Sequence, residues 1–236
     1  MLMIPGFSIT EQIHTSRNTN IYRGSFNSQP VILKVLKDEY PSIEVIARLK
    51  HEYSIIKEFD NPAIVKAIKL ETYDKHLLLV FEDCGGISLN QYLKSTTPSL
   101  KLILDIVKTI VEALIYIHSQ NIIHKDIKPA NIIINPDSKQ VKLTDFSIAS
   151  RLSKEIINNN PNQIEGTLAY LSPEQTGRMN RSLDYRSDFY SLGITLYQML
   201  TGVLPFQNQD VMELVHSHIA KIPQPIQQLN PEIPDI

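Results

Sequence analysis

A cluster of polar residues lies between two apolar segments near the middle of the chain. Residues 124–131 read His-Lys-Asp-Ile-Lys-Pro-Ala-Asn, and isoleucine-rich segments precede and follow them. Pro129 can continue neither a helix nor a central strand, so the cluster is predicted to form a loop. Such a loop would hold the carboxylate of Asp126, an ammonium group and the amide of Asn131 close together, which indicates a functional site.

A predicted hairpin brings a second carboxylate toward this loop. Residues 131–134 and 140–143 are typical of two short strands joined by a turn, and Asp145 follows the second strand. We therefore expect Asp145 to lie close to Asn131. A carboxylate and an amide oxygen that converge suit Mg²⁺, a hard ion that prefers oxygen ligands and takes the others from water and phosphates. His124 is predicted to be a structural histidine that bonds the backbone near Asp145.

The composition excludes several classes of protein. The 236 residues carry 23 Lys and Arg against 25 Asp and Glu, so no overall field favours nucleic acid or anionic lipid, and neither nucleic acid nor a membrane is expected as a partner. With 42% hydrophobic residues, the chain can form a packed core. The single cysteine, Cys84, cannot form an internal disulfide or a cysteine metal cluster, so a cytoplasmic location is expected.

The elements that must position these residues change in type along the chain. The first part is predicted to contain short strands at 21–26, 31–36, 64–70 and 76–81. A helix is predicted between them, because Ser42 is a suitable N-cap and the apolar residues after it recur at helical spacing up to Asn61-Pro62. The second part is predicted to contain helices from 102 to about 119, at 187–200 and at 209–220, before a proline-rich end.

Several segments, in their order along the chain, resemble the motifs of eukaryotic-like Ser/Thr protein kinases. The segment 124–131 is similar to the catalytic loop, and Asp145-Phe146-Ser147 and 166–174 are similar to the two ends of the activation segment. The segment Val31-Ile32-Leu33-Lys34 is similar to the strand that presents the nucleotide lysine. The resemblance extends from about residue 9 to residue 200, and an ordered series of this kind is more specific than any single motif.

The order of the elements predicts an α+β fold of two lobes. Residues 1–83 would form a small antiparallel β lobe with one helix, and residues 84–236 a mainly α-helical lobe. The resemblance makes the first the nucleotide-binding lobe and the second the catalytic lobe of one protein kinase domain, with a cleft where they meet.

The resemblance implies transfer of a phosphoryl group from ATP to a Ser or Thr hydroxyl of a protein substrate, with Mg²⁺ as a cofactor. It implies that Asp126 orients the acceptor hydroxyl and takes its proton, while Asn131 and Asp145 hold Mg²⁺. Lys128 would neutralise charge on the transferred group. Thr167 would help to shape the acceptor site.

The resemblance also implies how the nucleotide binds. Lys34 would hold the α- and β-phosphates of ATP. Glu52, at the inward edge of the apolar helix face, would pair with this lysine. The next segment resembles the interlobe hinge, where the backbone groups of Glu82 and Cys84 would meet adenine and Phe81 would limit the depth of the pocket.

The chain departs from the family in the loop that covers the phosphates, where the three glycine positions are His14, Ser16 and Thr19. Lys125 replaces the arginine that reads a phosphate on the activation segment, which argues against control by phosphorylation there. The first function hypothesis is an active Ser/Thr protein kinase. The second is a nucleotide-binding or allosteric pseudokinase, a scaffold module that regulates a fused signalling domain. A small-molecule kinase is a third, against which Lys128 argues.

Residues 172–190 and 216–221 resemble the N-terminal kinase module of large bacterial sensor proteins that also contain an ATPase region and a histidine kinase. We therefore expect the chain to be fused to further signalling domains or to act with them. A complete domain of the family has further C-terminal helices, so the chain is expected to be C-terminally truncated. Uncovered apolar surface would then cause marginal stability or association.

Overall fold

The computed structural model describes residues 4–73, 75–152, 166–178 and 182–234. The chain divides into two compact units, residues 1–86 with 145–147 and residues 87–144 with 148–236. The first unit is mainly β-sheet and the second is mainly helical, which confirms the predicted α+β class. The functional roles assigned to residues 1–83 and 84–236 stay predictions.

The first unit is built on an antiparallel sheet. Its strands are β1 (Phe7–Thr15), β2 (Thr19–Phe26), β3 (Gln29–Leu36), β4 (Ala67–Tyr73) and β5 (His76–Glu82), in the order β1-β2-β3-β5-β4. Alternate residues of the central strand β3 face the core, where Val31, Leu33 and Val35 are buried. Lys34 lies between them in sequence, opposite Ile21 of β2 and Leu79 of β5. The centre of the sheet therefore fixes the position of Lys34.

Gly24 in β2 allows β1 to pass very close. The two strands are paired, with Ile9 opposite Gly24 and a register irregularity that follows it. A Cβ atom on Gly24 would lie 2.4 Å from the carbonyl oxygen of Ser8, which is too close for any side chain. The distance between the two strands therefore depends on this glycine.

The helix α1 spans Ile43–Ile56 and carries Glu52 on its buried face. Ser42 is the N-cap, as predicted, and its hydroxyl accepts a hydrogen bond from the backbone N–H of Val45 at 3.4 Å. The other buried residues of this face are Leu49, Ile55 and Ile56. The helix ends at Ile56, before the predicted end near Asn61-Pro62, and the backbone N–H groups of Glu58 and Phe59 donate to the carbonyl oxygens three residues earlier. At Asn61, the side chain accepts a hydrogen bond from the backbone N–H of Ala63 at 2.8 Å and forms a turn.

The second unit contains the helices α2 (Leu89–Ser95), α3 (Leu100–Ser119), α4 (Arg186–Thr201), α5 (Val211–Ala220) and α6 (Ile226–Leu229). Its short strands are β6 (Ile87–Ser88), β7 (Ile122–Ile123), β8 (Ile132–Ile134), β9 (Val141–Leu143) and β10 (Ser150–Arg151). The three helices predicted for this part correspond to α3, α4 and α5. The sequence did not predict α2, because its 7 residues are too few to show a helical period.

The long helix α3 provides much of the core of the second unit. Its apolar stripe is buried along its whole length: Ile103, Ile106, Ile110, Ala113, Leu114 and Ile117. Full burial of a leucine or isoleucine side chain contributes about 1.5–3 kcal/mol. In the described part of the chain, no helix, α3 included, is long and apolar enough to cross a membrane.

The predicted hairpin after the polar loop is present. β8 and β9 are antiparallel, with Ile132 opposite Leu143, and β6 pairs with β8 on the other side. The backbone N–H of Thr144 donates to the carbonyl oxygen of Asn131 at 3.0 Å. The end of β9 therefore lies beside the end of the loop 124–131.

Candidate active site

The first unit holds one lysine and two carboxylates in direct contact. The Nζ atom of Lys34 lies 2.7 Å from Oε2 of Glu52 and 3.0 Å from Oδ1 of Asp145. The contact between Lys34 of β3 and Glu52 of α1 was predicted. The contact with Asp145 was not predicted, because it joins residues that are 111 positions apart.

The charges of this cluster oppose the effect of burial. Burial alone would lower the pKa of Lys34, but the carboxylates of Glu52 and Asp145 outweigh it and raise that pKa. Burial raises the pKa of Glu52 to about 7, although the charge of Lys34 acts in the opposite direction. Lys34 is therefore a permanent cation at neutral pH, while Glu52 changes its charge near pH 7.

The second unit gathers the other group of polar side chains around Asp126. Nζ of Lys128 lies 2.5 Å from Oδ2 of Asp126, and it also contacts the hydroxyl of Thr167. Nδ2 of Asn131 donates to the same Oδ2 at 2.8 Å. The backbone N–H and the hydroxyl of Thr167 donate to Oδ1 at 3.1 and 3.0 Å. Both oxygens of Asp126 are therefore held in place by hydrogen bonds from residues that the sequence had singled out.

The amide of Asn131 has a defined orientation. Its Nδ2 atom donates to the carbonyl oxygen of Asp126 at 2.9 Å as well as to the carboxylate. The amide oxygen, which is the atom that a hard cation needs, lies on the opposite side of the group. The oxygens of Asn131 and Asp145 thus have the chemistry that Mg²⁺ requires. Their convergence on one ion stays a prediction, since Asp145 belongs to the first compact unit.

A buried carboxylate that the sequence did not identify fixes the backbone of the loop. Asp188, near the start of α4, is 0% exposed and accepts hydrogen bonds from the backbone N–H groups of His124 and Lys125 at 2.9 and 2.8 Å. Nε2 of His118 lies 2.8 Å from Oδ2, the oxygen that also accepts from the N–H of His124. The available signal was an aspartate at the start of a predicted apolar helix, where a charged residue needs partners.

His124 has the structural role predicted for it. Its Nε2 atom lies 3.0 Å from the carbonyl oxygen of Thr144, which can only accept, so Nε2 carries the proton. Its Nδ1 atom accepts from the backbone N–H of Asp126 at 3.3 Å. This is the pattern of a neutral histidine that joins the start of the loop to the end of β9.

The residues that the resemblance assigns to the hinge lie at and just after the end of β5. Phe81 is buried, while Glu82 and Cys84 are half-buried. Arg23 of β2, which was not identified from the sequence, binds two residues that follow β5. Its Nε atom lies 2.7 Å from Oδ2 of Asp83, and its Nη2 atom donates to the carbonyl oxygen of Gly86 at 2.7 Å.

The turn between β1 and β2 uses side chains in place of glycines. The backbone N–H of Ser16 donates to the carbonyl oxygen of Thr19 at 2.8 Å, and the backbone N–H of Thr19 donates to the hydroxyl of Ser16 at 3.1 Å. The hydroxyl of Thr15 donates to Oδ1 of Asn20 at 2.8 Å. His14 is part of β1. Hydrogen bonds of polar side chains therefore stabilise this turn, which contains no glycine.

The segment that carries Thr167 is anchored on α4. The hydroxyl of Tyr170 donates to Oε1 of Gln198 at 2.6 Å, and the hydroxyl of Ser191 donates to the carbonyl oxygen of Tyr170 at 2.8 Å. Leu168 and Tyr170 also pack against a buried apolar cluster: Ile194, Phe206 and Leu214. The middle of the predicted activation segment, residues 153–165, lies outside the described residues.

Two bacterial protein kinases are similar in sequence to this chain. The "Probable serine/threonine-protein kinase PknB" of Lactococcus lactis is 31% identical over 233 residues, which are 97% of this chain and 36% of the relative. The "Serine/threonine-protein kinase PrkC" of Bacillus subtilis is 34% identical over 206 residues, which are 86% of this chain and 31% of the relative. The chain thus spans about a third of the length of these curated relatives.

The family match covers most of the chain and confirms the resemblance seen in the sequence. Residues 18–235 match the family model described as the protein kinase domain. This range includes Lys34, Glu52 and the whole of the loop 124–131. The chain therefore belongs to the protein kinase domain family.

Proposed function

We propose that the chain transfers the γ-phosphoryl group of ATP to a Ser or Thr hydroxyl of a protein. The observation that carries this proposal is the arrangement around Asp126, whose two carboxylate oxygens contact Lys128, Asn131 and Thr167. The printed names of the relatives support it, since they describe Ser/Thr protein kinases.

The nucleotide would be held by groups of the first unit. Lys34 is a cation at neutral pH because two carboxylates contact it, so it is suited to bind the α- and β-phosphates of ATP. The backbone groups of Glu82 and Cys84 would meet adenine, and Phe81 would limit the depth of its site. Asn131 and Asp145 would hold Mg²⁺, which when bound neutralises phosphate charge.

The acceptor hydroxyl would be handled by the second unit. Asp126 would orient this hydroxyl and take its proton, a role worth about 10²–10⁴ in rate. The hydroxyl of Thr167, at 3.0 Å from Oδ1, shows that the carboxylate can accept a hydrogen bond from an alcohol. Lys128 lies 2.5 Å from Oδ2, so it would lie beside the reacting hydroxyl and would offset negative charge that develops on the transferred group.

A protein is the proposed acceptor because the relatives are named as protein kinases, and the segment around Thr167, which would meet the acceptor, is fixed in place. Hydrogen bonds from Tyr170 and Ser191 anchor it on α4. We also propose that the chain acts in the cytoplasm together with further signalling domains. The greater length of the relatives supports the presence of further domains.

The test is transfer of radiolabelled phosphate from [γ-³²P]ATP with Mg²⁺ to a generic protein substrate. Asp126→Asn should lower kcat by about 10²–10⁴. Asp105→Asn is the matched control, because this carboxylate is exposed and its ion pair is with an exposed lysine. Equal transfer by Asp126→Asn and the wild type would refute the role of Asp126.

A thermal-shift measurement separates the proposal from the pseudokinase alternative, which the glycine-free turn favours. ATP with Mg²⁺ at about 100 times its Kd should stabilise the wild type by about 2.7 kcal/mol. The ligand-induced shift in Tm should be much smaller in Lys34→Met and unchanged in Lys101→Met, whose lysine is exposed. A shift without phosphate transfer would favour a nucleotide-binding pseudokinase, and no shift would favour a scaffold.

A further inference from the structure

We infer that Gln175 is a positioning residue for the proposed phosphoryl transfer. Its side-chain amide holds the backbone of Lys125 and thereby fixes the place of the Asp126 carboxylate. This inference rests on the proposed function, and it adds a contact that joins the end of the activation segment to the loop 124–131.

The amide of Gln175 bridges two parts of the second unit. The residue lies in the short 3₁₀ helix Pro173–Thr176. Its Oε1 atom accepts hydrogen bonds from the backbone N–H and the hydroxyl of Ser172 at 3.1 and 2.9 Å. Its Nε2 atom donates to the carbonyl oxygen of Lys125 at 2.9 Å, across 50 positions of sequence. One end of the amide therefore caps its own helix, while the other end reaches the loop.

The backbone of Lys125 needs such support. Its φ is +68°, in the left-handed region, which costs a residue other than glycine about 1–2 kcal/mol. The residue is 8% exposed, and its N–H donates to the buried carboxylate of Asp188 at 2.8 Å. Gly166, with φ +107°, allows close approach, since a Cβ atom there would lie 3.3 Å from the carbonyl oxygen of Lys125. Hydrogen bonds on both sides thus hold a strained residue.

The contact bears directly on Asp126 because of the peptide group between the two residues. The carbonyl oxygen of Lys125 and the N–H of Asp126 belong to the same planar unit. Gln175 binds the oxygen of this unit, and Nδ1 of His124 accepts from its N–H at 3.3 Å. The plane is therefore held at both ends. Without the bond from Gln175, it could rotate and displace the carboxylate that must meet the acceptor hydroxyl.

The experiment uses Gln175→Glu, which replaces the donor by a carboxylate oxygen and places a negative charge beside the carbonyl oxygen of Lys125. A glutamate still accepts from Ser172, since glutamate and glutamine serve equally in a capping box, but it has no N–H for Lys125. We expect kcat to fall by about tenfold to hundredfold, as for a small misplacement of a reacting group, with KM for ATP within about twofold of the wild type. Ser172→Ala is the matched control. It removes the hydroxyl, which donates to Oε1 and accepts from the backbone N–H of Gln175. It leaves the backbone bond to Oε1 and the contact with Lys125, so kcat should stay near that of the wild type.

Amide hydrogen exchange gives a readout that does not depend on catalysis. Exchange in peptides that cover residues 122–128 should be faster in Gln175→Glu and unchanged in Ser172→Ala. If the wild type transfers no phosphate, the proposed function fails, while exchange still decides whether Gln175 holds the loop. The inference is overturned if Gln175→Glu leaves exchange unchanged. The inference is also overturned if the wild type is active and Gln175→Glu has the same kcat. A lower Tm of Gln175→Glu together with a higher KM for ATP overturns it as well, because the effect would then be general.

Discussion

Replacement of Glu52 by glutamine should change how the stability of the protein depends on pH. Glu52 is 1% exposed, and burial raises its pKa from 4.5 to about 7, although Lys34 acts in the opposite direction. Between these two pH values, the folded chain keeps a proton on Glu52 that the unfolded chain has released. The free energy of unfolding of the wild type therefore falls as the pH rises through this range, and it stops falling above about pH 7.

The size of the effect follows from the difference between the two pKa values. One pKa unit corresponds to about 1.4 kcal/mol, so the rise from 4.5 to about 7 corresponds to a loss of about 3 kcal/mol. Glutamine has nearly the same size and can still accept a hydrogen bond from Lys34, but it does not titrate. Lys34 stays protonated over this range and adds no slope of its own.

Urea denaturation between pH 4.5 and 8 measures the effect. The free energy of unfolding of the wild type minus that of Glu52→Gln should fall by about 3 kcal/mol from pH 4.5 to 7. Glu112→Gln is the control, because that side chain is 58% exposed and its curve should run parallel to that of the wild type. Parallel curves for the wild type and Glu52→Gln, or a difference of opposite sign, would refute the reasoning.

Three further changes test other contacts. Leu114→Ala should lower the free energy of unfolding by about 2–5 kcal/mol in urea denaturation, whereas Leu104→Ala, whose residue is 55% exposed, should have little effect. Asp188→Asn should cost about 1–3 kcal/mol in the same assay and should lower kcat, because a backbone N–H in the loop would lose its acceptor. Thr167→Ala should lower kcat by about tenfold to hundredfold, since it removes the hydrogen bond from the hydroxyl to the Asp126 carboxylate. Thr167→Ser should restore most of the lost kcat, and equal rates for the two variants would contradict this role of the hydroxyl.

Much of the fold could be predicted from periodicity and caps. The stripe of α3 and the N-cap at Ser42 are local signals, and both appear in the structure as expected. The strand expected at 64–70 instead occupies Ala67–Tyr73, because periodicity does not show where pairing with β5 begins. The short α2 could not be predicted, since its burial depends on neighbours that are distant in sequence.

The part of the candidate site that lies within one sequence motif could be predicted. Asp126, Lys128 and Asn131 lie within one short loop, so their contact follows from local sequence. Thr167 joins them across 41 positions, and only the family resemblance indicated it. Arg23 and Gln175 were missed, because their partners lie in remote segments and include backbone carbonyl groups, which a sequence does not mark as acceptors.

The closeness of β1 to Gly24 also limits which sequences this domain can tolerate. Even alanine would push the backbone at Ser8 outward, since no space exists for a methyl group. β1 is 9 residues long, and its pairing with β2 continues from Ile9 opposite Gly24 to Thr15 opposite Asn20, beside the turn that replaces the glycine-rich loop. A shift of the β1 backbone at Ser8 would therefore also move the other end of the β1–β2 pair, at the turn. Saturation mutagenesis under selection for phosphate transfer should therefore recover glycine almost alone at position 24, even though it lies far along the strand from that turn.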